Sequence, residues 1–63
     1  MSYETEAAVR YRAHAEELRT IAEAEGLVET RRTLIDIARD YERMALQLES
    51  VDLSNRVVSQ TAP

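Results

Sequence analysis

Residues 34–51 read LIDIARDYERMALQLESV and carry the clearest structural signal in this 63-residue chain. Apolar residues recur in them at steps of three, four and seven, so they fall on one arc of an α-helix. The arc is about 140° wide, which is typical of a helix that packs against a globular core. Its members are Leu34, Ile37, Ala38, Tyr41, Met44, Ala45, Leu48 and Val51. The pattern predicts a helix over about 29–52.

The first half of the chain repeats this spacing with smaller residues. Its apolar positions are Ala7, Ala8, Tyr11, Ala15, Leu18, Ile21 and Ala22, and Glu and Arg dominate the other side. Ala, Glu and Arg all favour helices, and no run of β-branched residues interrupts them. We therefore expect a first helix over about 4–25.

Gly26 separates the two periodic segments and is the only glycine in the chain. It can adopt a left-handed conformation without steric cost, so we expect it to end the first helix at the C′ position. Thr30 is a candidate N-cap for the second helix. Arg31 and Arg32 then lie in a first turn where the helix dipole disfavours positive charge, which suggests that they pair with Asp36 or with a carboxylate of a neighbouring chain.

These elements predict an all-α fold, a two-helix antiparallel hairpin over residues 1–53 with its turn at 26–28. Residues 54–63 are polar and lose the apolar stripe, so we expect a flexible tail there.

A single hairpin offers little apolar contact, because the first helix contributes mostly alanine to the seam between the helices. We therefore expect two hairpins to dimerise about a two-fold axis into a four-helix bundle. The residues expected in the helix–helix or oligomer interface are Tyr11, His14, Leu18, Ile21, Leu34, Ile37, Tyr41, Met44, Leu48 and Val51. A narrower apolar line, formed by Ile35, Leu46 and Leu53, is a candidate second interface.

His14 is the only histidine, and the antiparallel register places it opposite Tyr41. As a metal ligand or general base it would act with Glu17, in a His-x-x-Glu arrangement, or with Asp36. A metal site needs several further ligands, and the Glu-x-x-His motif of di-iron bundles is absent. The favoured interpretation is a histidine hydrogen-bonded to a tyrosine or carboxylate at the edge of the interface, with no metal and no cofactor.

Charged residues on shared helix faces predict ion pairs. Asp36 and Asp40 lie four residues apart, and Arg32, Arg39 and Arg43 are placed to neutralise them. This spacing favours a solvated ladder of ion pairs over a site for a divalent cation.

The charge balance excludes several kinds of partner. Twelve acidic residues outnumber eight basic ones, all of them Arg, which gives a net charge of −4 at pH 7. Binding of nucleic acid requires several basic residues against phosphates, and binding of a membrane surface requires a basic amphipathic face, so neither is expected. No apolar run reaches the ~20 residues of a membrane span, no signal peptide is visible and there is no cysteine, so we expect a cytoplasmic protein.

Two segments carry a pattern shared with other proteins: Tyr with Ala-x-x-Leu-Arg in the first helix, and Arg-Arg-x-Leu with Ile-Ala-x-x-Tyr-Glu-x-Met-Ala in the second. The residues of the pattern are Tyr11, Ala15, Leu18, Arg19, Ala22, Arg31, Arg32, Leu34, Ile37, Ala38, Tyr41, Glu42 and Ala45. They resemble a set of short helical-hairpin proteins widespread in alphaproteobacteria, in which Leu is usual at the position of Met44. The resemblance covers about half of the chain.

The resemblance implies a helical hairpin and implies no activity, since none is assigned to that set of proteins. Their turn often reads Asp-Pro-Glu before the arginines, whereas this chain has Leu27-Val28-Glu29, so the start of the second helix does not follow from it. Packing does not explain the charged residues of the pattern, which suggests an interhelical ion-pair network that fixes the register between hairpins. Its members would be Arg19, Arg31, Arg32, Asp36 and Glu42.

The sequence thus predicts a small, non-catalytic helical interaction module that forms a homodimer. The alternative is an acidic adaptor or inhibitor that docks on the basic surface of a larger protein through Ile35, Leu46 and Leu53. A metal-binding or enzymatic bundle that uses His14 is a remote third alternative.

Overall fold

The computed structural model describes the backbone of residues 2–61 and the side chains of residues 2–56. Two α-helices, α1 (Tyr3–Ala24) and α2 (Val28–Thr61), follow each other and pack along their length as an antiparallel hairpin. The hairpin is long and thin, with extents of 57 × 17 × 10 Å. The predicted all-α two-helix hairpin is therefore confirmed.

A Ser2 cap begins α1. The Ser2 Oγ accepts a hydrogen bond of 3.1 Å from the backbone N–H of Thr5, and the two hydroxyls lie 2.8 Å apart. Glu4 and Glu6 add negative charge to the first turn, where the helix dipole favours it. The start of α1 is thus set by local hydrogen bonds that are typical of an N-cap.

The turn differs from the expected one. Gly26 has no positive φ, so the predicted left-handed C′ glycine is wrong. Glu25 ends α1 in an extended conformation (φ −80°, ψ 126°), and its N–H donates to the carbonyl of Ala22. The Glu25 carboxylate then accepts the N–H of Leu27 at 3.0 Å, so the chain reverses without a left-handed residue.

The second helix begins at Val28, so Thr30 lies inside it and is not its N-cap. The Leu27 carbonyl accepts the first helical hydrogen bond, from the N–H of Arg31. The Arg31 guanidinium donates to the Glu25 carbonyl, from Nε at 3.3 Å and from Nη2 at 3.0 Å. Arg31 therefore closes the turn by satisfying a carbonyl just beyond the end of α1.

The second helix also ends later than predicted. It continues through the expected tail to Thr61, and residues 62 and 63 lie outside the described part of the chain. No Gly or Pro occurs between Gly26 and Pro63 to break it. The side chains of Asp52 and Arg56 form an i,i+4 ion pair of 3.1 Å where the helix was expected to end.

Alanine fills the seam between the helices. The buried hydrophobic residues among those described are Ala8, Ala15, Ala22, Ala38 and Ala45, each at most 2% exposed. They recur every seventh residue on each helix, which keeps them on one face. No larger side chain is fully buried in the described part of the chain. The two helices therefore pack closely while burying little apolar surface.

Candidate interaction surface

Two salt bridges cross the seam on one side of the hairpin, which we call the ionic face. Arg12 pairs with Glu49 through Nη2 and Oε1. Arg19 pairs with Glu42 through two hydrogen bonds, 2.6 Å from Nη2 to Oε1 and 3.3 Å from Nε to Oε2. The bridges are seven residues apart on each helix, so they follow one row of each.

These charges act on each other in a partly desolvated position. The hydrogen bond from Arg19 lowers the pKa of Glu42, although desolvation of the carboxylate opposes the shift. The same hydrogen bond and the charge of Glu42 raise the pKa of Arg19. The pair is therefore ionised under neutral conditions and links α1 to α2.

The opposite side of the hairpin carries most of the large apolar residues described, and we call it the apolar face. The rings of Tyr11 and Tyr41 stack across the seam there, with centroids 5.6 Å apart and planes 27° apart. The face consists of Tyr11, His14, Leu18, Ile21, Leu34, Ile37, Tyr41, Met44, Leu48 and Val51. We define this face by the ten residues predicted for the helix–helix or oligomer interface.

The apolar face is only partly covered by its own hairpin. Ile21, Ile37 and Val51 are 54%, 39% and 47% exposed, and His14 is exposed as well. The other six residues are half-buried along the margin of the alanine seam. None of the ten lies at the centre of the helix–helix contact, which is formed by alanine residues. Their place in an oligomer interface stays a prediction.

His14 lies on α1 opposite Tyr41, as the antiparallel register predicts, with ring centroids 5.6 Å apart. Its Nδ1 is 3.9 Å from a carboxylate oxygen of Glu17, which is too long for a hydrogen bond. The expected hydrogen bond to a carboxylate is therefore absent from this structure. Among the described residues, no three His, Asp or Glu side chains converge as a metal site.

The structure assembles only part of the predicted ion-pair network. It brings Arg19 to Glu42, but Arg31 binds the turn carbonyl and Arg32 forms no ion pair with any described residue. The expected pairing of Arg31 or Arg32 with Asp36 within the chain is therefore wrong. The helix spacing instead directs Asp36 to Arg39, at 4.0 Å.

The rest of the predicted ladder is present. Asp40 pairs with Arg43 at 3.4 Å, and both side chains are exposed. Exposed i,i+3 pairs of this kind contribute little to stability. The ladder therefore has no evident role beyond solvation of the helix.

Asp52 is a polar residue that the sequence reasoning missed. It is only 8% exposed and continues the seven-residue row of Ala38 and Ala45 to the beginning of α1. The hydroxyl of Ser2 lowers the pKa of Asp52 most, desolvation opposes this, and the charge of Arg56 lowers it further. The sequence does contain a sign of it, because Asp52 interrupts a row of alanines spaced seven residues apart. In the structure, Asp52 lies where the seam meets the N-terminus of α1.

The residues of the predicted second line, Ile35, Leu46 and Leu53, differ in exposure, and their role as an interface stays a prediction. Leu46 and Leu53 are each 60% exposed. Each follows a carboxylate of the cross-helix salt bridges by four residues, so both border the ionic face. Ile35 is half-buried in a groove beside Arg19 and Arg31, so it also borders the ionic face.

Neither helix, over the residues that the structure describes, is both long and apolar enough to cross a membrane. Comparison of the chain with models of known protein families, with curated proteins and with solved structures finds no match. The resemblance to alphaproteobacterial hairpin proteins therefore stays a prediction from the residue pattern.

Proposed function

We propose that this protein is a non-catalytic interaction module that self-associates, two hairpins packing through their apolar faces into a four-helix bundle. The observation that carries the proposal is the composition of the seam. Alanine alone is fully buried among the hydrophobic residues described, while larger Ile, Val, Leu, Met and Tyr side chains share one face that the hairpin covers only in part. Large apolar side chains stabilise a fold when they leave water, so this face favours a second layer.

The dimensions of the apolar face suit a second copy of the hairpin. A 22-residue helix is about 33 Å long, and the hairpin is 17 Å wide. One face therefore has a projected area of about 560 Å², and a face-to-face pair would remove about 1,100 Å² from water. That area is just above the floor of about 1,000 Å² for a specific interface.

Sedimentation equilibrium combined with circular dichroism over a dilution series tests the proposal. We expect a dimer at tens of micromolar and loss of helix as the protein dissociates, because folding and association are coupled. A monomer that stays folded and cooperative at all concentrations would refute self-association.

Two substitutions with matched exposure locate the interface. Ile21 and Val9 are both 54% exposed on α1, but Val9 lies off the apolar face, one turn from Arg12. We expect Ile21→Lys to weaken the dimer more than tenfold, because each dimer would bury two unpaired charges. Val9→Lys is expected to change the dissociation constant less than twofold.

The exposure of Leu46 and Leu53 supports a second candidate function, that of an acidic adaptor for a basic protein surface. Both residues lie away from the apolar face, so they stay available in the proposed dimer. The double variant Leu46→Lys/Leu53→Lys separates the two functions. Dimerisation should persist in this variant if the apolar face alone carries it.

A further inference from the structure

We propose that the two hairpins pair antiparallel, with α1 against α1 and α2 against α2, about a two-fold axis that passes near His14 and Met44. This orientation rests on the proposed function, since it specifies how a second copy occupies the apolar face. Three features of the hairpin support it.

On α1, apolar residues lie at similar distances on both sides of His14 along the sequence. Tyr11 lies three residues before it and Leu18 four residues after it. Ala7 and Ile21 lie seven residues before and after it. An antiparallel two-fold axis pairs each helix with its own reversed copy, so Tyr11 would meet Leu18, and Ala7 would meet Ile21. The second pair sets a small side chain against a larger one, which favours close packing.

The apolar face of α2 has the same arrangement around Met44. Tyr41 and Leu48 lie three residues before and four residues after it, and Ile37 and Val51 lie seven residues to either side. Because His14 contacts Tyr41 across the seam, the centres of the two patterns lie within about one helical turn of each other. A single axis can therefore pass close to both.

Opposite charges flank His14 at the edge of the apolar face. Arg10 lines a groove of about 320 Å³ together with Tyr11 and His14, and Glu17 approaches His14 to 3.9 Å. Around an axis at His14, Arg10 of each copy lies level with Glu17 of the other. The antiparallel pairing thus forms two ion pairs between the copies.

The parallel pairing, in which α1 packs on α2 of the second copy, lacks this complementarity. In that pairing, residues of the two copies lie at the same heights along the bundle as they do within one hairpin, where His14 lies beside Tyr41. Glu17 would then come within about one turn of Asp40 of the second copy, which is already paired with Arg43 of its own helix, so no new ion pair would form there. Charge therefore favours the antiparallel pairing.

Disulfide trapping tests the orientation, because the protein contains no cysteine of its own. In the antiparallel dimer the two copies of residue 14 meet at the axis, so His14→Cys should cross-link under mild oxidation. The two copies of residue 21 lie about 21 Å apart along the bundle, so Ile21→Cys should not. Met44→Cys provides a second site at the axis if His14→Cys fails to fold.

Three outcomes of the trapping experiment are distinguishable. Cross-linking of His14→Cys or Met44→Cys without Ile21→Cys supports the antiparallel pairing. A wild-type dimer in sedimentation with no cross-linking at residues 14 or 44, or with equal cross-linking at residue 21, refutes the orientation and leaves self-association standing. A monomeric wild type refutes self-association itself.

A charge exchange gives an independent measurement. Arg10→Glu would place a second negative charge beside Glu17 of the other copy in each of the two symmetric contacts. We expect the dissociation constant to rise about threefold to tenfold. Adding Glu17→Arg should restore dimerisation, since the ion pairs form again with reversed polarity. Failure of the second change to restore it would refute the antiparallel contact.

Discussion

The guanidinium of Arg19 on α1 donates two hydrogen bonds to the carboxylate of Glu42 on α2, at 2.6 and 3.3 Å. A bidentate arrangement of this kind fixes the relative orientation of the guanidinium and the carboxylate as well as the distance between them. Together with the pair of Arg12 and Glu49, it holds the helices in one antiparallel register on the ionic face. An alanine seam needs such a constraint, because small side chains resist sliding less than interlocked large ones.

A double-mutant cycle measures this coupling. We expect Arg19→Gln and Glu42→Gln each to lower the melting temperature by a few degrees, and the double variant to be no less stable than either single one. The exposed pair of Asp40 and Arg43 serves as the control and should show weaker coupling. Strictly additive effects for Arg19 and Glu42 would contradict a direct interaction.

Two carboxylates should make the fold sensitive to acid. Arg19 lowers the pKa of Glu42 from the ordinary 4.5, and the Ser2 hydroxyl, followed by Arg56, lowers that of Asp52 from 3.8. A carboxylate with a lowered folded-state pKa adds stability above its unfolded-state pKa and loses it as the pH falls through the folded-state value. We therefore expect thermal stability to decline as the pH falls below these ordinary values.

Melting curves between pH 7 and pH 2 test this expectation in the wild type, Glu42→Gln and Asp52→Asn. Each variant should be less stable at neutral pH and should lose less stability on acidification, because one titrating group is gone. Glu16→Gln removes one negative charge from an exposed position and controls for net charge. If the melting temperature of both test variants fell with pH as steeply as that of the wild type, the acid sensitivity would not come from Glu42 and Asp52.

Periodicity alone predicted most of the fold. Apolar spacing located both helices, and the single glycine located the turn between them within one residue. The end of α2 was not predictable in this way, because loss of the apolar stripe after Val51 does not break a helix. Gly and Pro break helices, and beyond Val51 the chain contains no Gly and only one Pro, Pro63.

The sequence predicted which residues lie on the same side of each helix. It did not predict which of those residues contact the other helix and which stay at the margin of the contact. A helical arc shows which residues lie together, yet it does not show whether its centre or its edge meets the other helix. Ala15 and Ala45 are the buried residues, and Leu18 and Met44 lie at the margin. The difference arises because small residues at seven-residue spacing let two helices approach more closely than large ones.

Gly26→Ala should not destabilise the protein. The φ of Gly26 is not positive, and a Cβ placed there would have no atom within 4 Å. Alanine reduces the freedom of the unfolded chain, so we expect the free energy of unfolding to stay equal or to rise by about 0.4–1 kcal/mol. Chemical denaturation at fixed protein concentration measures it. A loss of stability would instead indicate the left-handed cap that the sequence predicted.

Arg31→Ala should act on the turn and not on association. The substitution removes two hydrogen bonds to the Glu25 carbonyl, which lies in an exposed position, so we expect a loss of about 1 kcal/mol or less. Arg32→Ala is the matched control, because Arg32 forms no ion pair with the described residues. Both variants should keep the wild-type dissociation constant in sedimentation. A large rise for Arg31→Ala alone would show that the arginine contacts a second copy.

Enlargement of one seam residue tests whether the close approach of the helices stabilises the hairpin. Ala45 is fully buried, and leucine there would force α1 and α2 apart, so we expect Ala45→Leu to lower the free energy of unfolding by about 1–3 kcal/mol. Ala13 is exposed on α1, and Ala13→Leu should change stability by less than about 0.5 kcal/mol, because leucine favours helix nearly as much as alanine does. Equal stability of the two variants in denaturation at the same protein concentration would show that the seam tolerates large residues, and that alanine does not set the helix spacing.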